Sequence, residues 1–207
     1  MQEIKGILFE PVGCLAEFPA EPFLESAAKV SGRKRNTSKS GSRSYWHLLN
    51  VMESMPGRTE ALELEAVDGA VLYEDVLPAL AELQAMGIQR LIASSLCHAA
   101  ITQFLKACPH DFDGVWSRDD AGGIKAVPLV RALAAASLKA PQAMFLTDTA
   151  EGLNVAASVG VNAILMMNDP EESRRLTTRN PAGGIVSLHE LPDFIRFLRA
   201  EKSTSQR

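Results

Sequence analysis

Short apolar runs rich in β-formers alternate with stretches of helical spacing along most of the chain. Runs at Ile4–Phe9, Arg90–Ser94, Gly114–Trp116, Ala143–Thr147 and Ala163–Met167 predict strands, with a sixth, shorter one at Gly184–Val186. Between them, Val76–Met86, Ala99–Ala107, Pro128–Ser137 and Gly152–Val159 carry apolar residues at helical intervals. Strand–helix alternation with short connections predicts parallel βαβ units. The fold class is therefore α/β, a doubly wound parallel sheet with helices on both faces. Ligands bind such sheets beyond the carboxyl ends of the strands. Glu10, Ser94 and Asp148 each fall at a predicted strand end.

From Pro19 to about Glu74 the alternation stops. Helical patterns at Pro22–Val30 and Tyr45–Met55, with no convincing strand, predict a small helical insertion. This divides the chain into a core of residues 1–16 and 75–207 and an insertion of residues 17–74. Inside the insertion, "SGRKRNTSKSGSRS" holds Arg33, Lys34, Arg35, Lys39 and Arg43 without one acid. It reads as a solvated connection between helices; the alternative is a cationic lip over an anion site. The closing "EKSTSQR" is expected to fray.

Composition narrows the function classes. With 46% apolar residues in 207, the chain can bury a full core, and a net charge of −4 gives no general attraction to nucleic acid or membrane. The aromatic interleaving of nucleic-acid surfaces is missing from the basic stretch. Three cysteines at irregular spacing argue against a disulfide framework and for a reducing compartment. Without a signal-like start or an apolar run of spanning length, a cytoplasmic location is expected.

Candidate chemistry begins at "ILFEPVGCL", where a buried strand ends in Glu10. "LIASSLCHAAI", "KAVP" at Lys125–Pro128 and "AMFLTDTAEGLNVAASVGVNAILM" follow in order. Together these stretches resemble the haloacid dehalogenase-like superfamily, mostly phosphatases and related phosphoryl-transfer enzymes, over nearly the whole chain. The resemblance implies a Rossmann-like core, with the helical insertion as its cap and "GGIVSLHELPDFI" as its closing strand and helix. It assigns the nucleophile position to Glu10, the phosphate-binding hydroxyl to Ser94 and the charge-neutralising lysine to Lys125. Mg²⁺ would be held by Glu10, the backbone carbonyl of Val12 and Asp148.

Several residues depart from that pattern. The first motif of the superfamily reads D-x-D-G-T-L, against Glu10-Pro11-Val12-Gly13-Cys14-Leu15 here. The fourth resembles G-D-S-x-x-D, against Thr147-Asp148-Thr149-Ala150-Glu151-Gly152. The nucleophile is thus lengthened, the general acid is replaced by Val12, and a metal-supporting carboxylate by Gly152. An added methylene displaces the attacking oxygens by about one bond, roughly 1.5 Å, and about 1 Å can cost 100-fold. Loss of the general acid removes about 100- to 10,000-fold more. Mg²⁺ demands near-octahedral geometry, so it is expected to bind weakly or not at all.

Two functions remain from different classes. One is a catalytically impaired family member that binds an anionic or phosphorylated small molecule, or a protein partner. The other is an active hydrolase using Glu10. If the loss is local, Glu10→Asp, Val12→Asp and Gly152→Asp together should rebuild the chemistry. Asp148 also reads as a helix N-cap and Ser94 as a strand-end turn residue. Asp119 and Asp120 read as loop formers or replacement ligands, and Cys14 as a small buried residue. The four histidines lack metal-ligand spacing.

Overall fold

The computed structural model describes residues 3–31, 41–52, 56–122 and 127–204. The chain opens with β1 (Gly6–Phe9) and β2 (Ala16–Glu17), then α1 (Glu21–Ser31), α2 (Gly41–Met52) and α3 (Pro56–Asp68). A second two-residue strand, β3 (Val71–Leu72), leads into α4 (Val76–Ala85), β4 (Gln89–Ala93), α5 (His98–Ala107) and β5 (Gly114–Trp116). The remainder is α6 (Leu129–Ala135), β6 (Ala143–Thr147), α7 (Ala150–Val159), β7 (Asn162–Met166), α8 (Pro170–Leu176), β8 (Gly183–Ile185) and α9 (Glu190–Thr204).

Six strands form one sheet in the order β5-β4-β1-β6-β7-β8, and every pairing is parallel. The all-apolar runs follow from this. A strand covered by helices on both faces has no solvent side, so "GILF" of β1 and "AMFLT" of β6 are buried at every residue. β1 lies at the centre, flanked by β4 and β6, where the chain's winding direction reverses. The carboxyl ends of those three strands meet at this crevice. The predicted doubly wound α/β fold is the observed one.

The helices α1, α2 and α3 lie between β2 and β3, which pair antiparallel through Ala16 with Leu72 and Glu17 with Val71. This corrects the expectation that residues 19–74 hold no strand. A pairing two residues long carries no periodicity, and Val71 is exposed. The helix α3 was also absent from the sequence reading, as was α8, although Asp169 accepting from the Glu171 and Glu172 amides with Pro170 next is a helix start. The tail expected to fray continues α9 to Thr204. The three cysteines are free and buried. Among the described residues, no helix is long and apolar enough to cross a membrane.

Candidate functional site

After β1 the chain turns sharply. The Pro11 carbonyl accepts from the backbone N–H groups of Cys14, Leu15 and Ala16, which folds the loop back on itself. Gly13 sits at φ +76°, and a Cβ there would lie 2.2 Å from an Asp148 oxygen. Only glycine fits, because both the left-handed backbone and the close carboxylate exclude a side chain.

Glu10 does not point into open solvent. It is 3% exposed, and both its oxygens are engaged by the loop after β4. Ser94 Oγ donates to Oε1 at 2.7 Å; the Ser95 amide and Ser95 Oγ donate to Oε2 at 2.8 and 2.9 Å. Burial pushes the Glu10 carboxyl up, and the Ser94 hydroxyl, the Ser95 donors and the Val12 amide oppose that shift. Ser94 Oγ also accepts from the Leu96 amide, so it is a turn residue and a Glu10 ligand at once.

Asp148, at the end of β6, is partly buried. Its Oδ2 accepts from Ser42 Oγ of α2 at 2.5 Å, while its Oδ1 is buried without a hydrogen-bond partner. Burial pushes this carboxyl up to about 7; the Ser42 hydroxyl opposes the shift and the nearby Glu10 charge adds to it. The cap of α7 is Thr149, whose Oγ1 accepts from the Gly152 amide, so Asp148 is not the N-cap. Gly152 packs directly on Thr147. A Cβ there would meet Thr147 Oγ1 at 2.0 Å and Thr147 Cβ at 2.7 Å. The threonine stands where the superfamily's fourth motif opens with glycine, and its side chain fills the space an aspartate at 152 would need. The three-residue rebuilding expected from the sequence therefore meets a clash with Thr147 at Gly152.

A second buried polar cluster lies against the first. Glu63 of α3 is fully buried and pairs with Arg118 Nη1, which comes from the turn after β5. Glu63 also accepts from the Cys97 amide at 2.9 Å and shares the single Tyr45 hydroxyl proton of α2, 2.9 Å away, with the Ser95 carbonyl. Tyr45 Oη and Arg118 Nη1 both reach the Ser95 carbonyl, at 2.8 and 3.0 Å. Ser95 thus holds Glu10 through its N–H and hydroxyl, and the helical segment through its carbonyl.

Beside Asp148 a cleft of about 480 Å³ opens between α2, the start of α7 and α8. Its lining includes Arg43, Asp148, Glu151, Glu172 and Arg175 but neither Glu10 nor Ser94. Arg43 and Arg175 reach Glu172 at 2.7 and 3.4 Å.

The residues present do not fit Mg²⁺. Glu10 has both oxygens committed to serine donors, Gly152 offers none, and Asp148 Oδ1 is a single open acceptor. Among the described residues, no group of three or more His, Cys, Asp or Glu is disposed to hold a metal. An octahedral ion needs more free oxygens than the carboxylates of these residues leave.

A family model for haloacid dehalogenase-like hydrolases matches residues 25–166, more than half of the chain. The chain belongs to the haloacid dehalogenase-like hydrolase family. The matched stretch begins after β1, so the altered loop from Glu10 to Leu15 lies outside it. Among solved structures, the chain is similar to a phosphonoacetaldehyde hydrolase-like protein of Oleispira antarctica, with TM-score 0.76, 11% identity and 94% and 92% of the two chains covered. It is also similar to a haloacid dehalogenase-like protein of Agrobacterium tumefaciens, with TM-score 0.72, 18% identity and 95% and 99% covered. CbbY of Rhodobacter sphaeroides, in complex with phosphate, matches with TM-score 0.63, 18% identity and 91% and 96% covered. At such identities the likeness establishes the fold. No curated protein matches the chain in sequence.

Of the residues singled out from the sequence, Glu10 and Ser94 meet, and Asp148 lies across the Gly13 turn from them. Lys125 lies outside the described residues, as do Arg33, Lys34, Arg35 and Lys39 of the basic stretch. Asp119 accepts from the His98 amide at the start of α5, and Asp120 from the Ser117 amide, so both are turn and cap residues of this haloacid dehalogenase-like core. Ser42, Tyr45, Glu63 and Arg118 were not foreseen. Glu63 carried a readable signal, because it falls on the same helical stripe as buried Thr59, Ala66 and Val67.

Two outcomes follow from this geometry. Gly152→Asp should destabilise by about 1–3 kcal/mol through overpacking. Adding Thr147→Gly should recover part of that loss, giving a favourable coupling of about 1 kcal/mol in a double-mutant cycle of denaturant unfolding. Additive losses would contradict the packing account. Asp148 binds its proton to higher pH when folded, so it favours the folded state most below roughly pH 4, and that contribution is lost on rising to about 7. The thermal midpoint of wild type relative to Asp148→Asn should fall over that range and run parallel above it.

Proposed function

We propose that this family member does not turn over phosphate esters and acts by binding, with its own Glu10 carboxylate occupying the oxyanion cradle. The observation that carries this is the set of three donors from Ser94 and Ser95 on a carboxylate that is 3% exposed. In-line attack needs a free oxygen about 3–3.5 Å from phosphorus. Here both oxygens of the would-be nucleophile are buried and hydrogen-bonded. The hydroxyl assigned to substrate phosphate by the superfamily resemblance binds Glu10 instead.

Val12, 1% exposed, gives no proton to a leaving group. A general acid is worth about 100- to 10,000-fold, so its absence compounds the loss. The cleft beside Asp148 is then the place where a ligand is met. Arg43 and Arg175, both paired with Glu172, are the cations of that lining, and an anionic or phosphorylated small molecule would compete with Glu172 for them.

The test uses Glu10→Ala, which leaves the Ser94 and Ser95 donors open. At tenfold over its Kd, inorganic phosphate should stabilise this variant by about 1.4 kcal/mol, a midpoint rise of about 3–5 °C for a domain of this size. Wild type at matched ionic strength should respond less than the variant, because its Ser94 and Ser95 donors are taken by Glu10. Wild type should also release no p-nitrophenol from p-nitrophenyl phosphate with Mg²⁺. Turnover by wild type that disappears in Glu10→Ala would overturn the reading.

A further inference from the structure

We infer that a second small-molecule site lies at the amino end of the sheet and takes a short organic acid that also carries a hydroxyl. It is separate from the Glu10 crevice. Lys5 immediately precedes β1 and Glu10 immediately follows it, so the strand sets the two places about 16 Å apart. A recess of about 670 Å³ opens at this end, between the last turns of α4 and α6 and the side of α9. That is the size of an ordinary ligand pocket, and such pockets pair apolar walls with a few polar groups. Here the walls include Met86 and Leu138, which pack on the core yet remain half-buried. The charged residues of the lining are Lys5, Arg199 and Glu3, an excess of one cation in a chain whose net charge is −4. Arg199 is fixed in place through Nη2, which donates to the Ile4 carbonyl at 3.3 Å.

Two further observations point to a ligand with a hydroxyl. Gln89, at the start of β4, lines the recess, and its Oε1 is buried without a hydrogen-bond partner. A buried acceptor left open costs stability, and a ligand hydroxyl supplies the missing donor. The second observation is a serine where the backbone favours glycine. The helix α4 closes with Gly87 at φ +71°, the Gly87 and Ile88 amides returning to the Gln84 and Leu83 carbonyls. The helix α6 closes in the same way, through the Ser137 and Leu138 amides onto Ala134 and Leu133. There, however, the left-handed position at φ +55° is held by Ser137. That strain places a hydroxyl on the rim of the recess. Both helix ends are capped by their own backbone, so a ligand anion meets side-chain cations rather than bare carbonyls.

The probe is ω-hydroxyhexanoate, titrated into the full-length chain while backbone amide shifts are followed by NMR. Saturable shifts are expected at Gly87, Gln89 and Leu138, with half-saturation below about 5 mM. Hexanediol lacks the charge and hexanoate lacks the terminal hydroxyl. Each should bind this recess at least about threefold more weakly, the worth of one hydrogen bond or more. Lys5 is exposed, so Lys5→Gln keeps the fold. It should weaken the hydroxy acid by about three- to tenfold and leave hexanediol unchanged. The site is overturned if no shift saturates at these amides in that range, or if the shifts are confined to the cleft beside Asp148. Either control binding as tightly as the hydroxy acid, or Lys5→Gln without effect, overturns it as well.

Discussion

A carboxylate buried at the end of a central strand must find donors, and in this chain the loop after β4 provides them. Ser95 carries most of that burden. Its amide and hydroxyl fix one oxygen of Glu10, and Ser94 fixes the other. Its carbonyl in turn receives Tyr45 and Arg118, which hold Glu63 and with it the helical segment. A buried charge left without partners costs several kcal/mol, so neither half of the network can be removed cheaply. Glu10 and the helical segment are therefore held by one polar network with Ser95 between them.

That arrangement explains why the longer side chain matters. Glutamate does more than displace a nucleophile. Its extra methylene lets the carboxylate reach across to the serine donors and settle there, burying the charge that would otherwise face the crevice. Val12 and Thr147 belong to the same change. Val12 joins the apolar core at 1% exposure, and Thr147 fills the space opposite Gly152. Thr147 and Gly152 thus constrain each other sterically, and reversing one alone meets the other.

The sheet was legible because strands covered on both faces must be apolar throughout. The runs ending at Phe9 and Thr147 end within the observed strands for that reason. The convergence of Glu10 with Ser94 was legible too, since parallel topology sends strand ends to one edge. The two-residue pairing of β2 with β3 was not, because nothing periodic fits into so short a ladder. The Tyr45–Glu63–Arg118 cluster was hidden for a different reason. Its members lie 18 to 73 residues apart in sequence, and no local pattern pairs a glutamate on one helix with an arginine in a distant turn. What was visible, a carboxylate on the buried stripe of α3, required knowing that α3 exists.

The central claim is that the Ser94 and Ser95 donors belong to Glu10 and not to a ligand. The measurement that tests it most directly is a crystal structure of the wild-type chain grown with millimolar phosphate and Mg²⁺. The account predicts Glu10 oxygens at hydrogen-bond distance from Ser94 Oγ and the Ser95 amide, with no phosphate on those donors. A phosphate seated on Ser94, with Glu10 turned toward a metal beside Asp148, would contradict it.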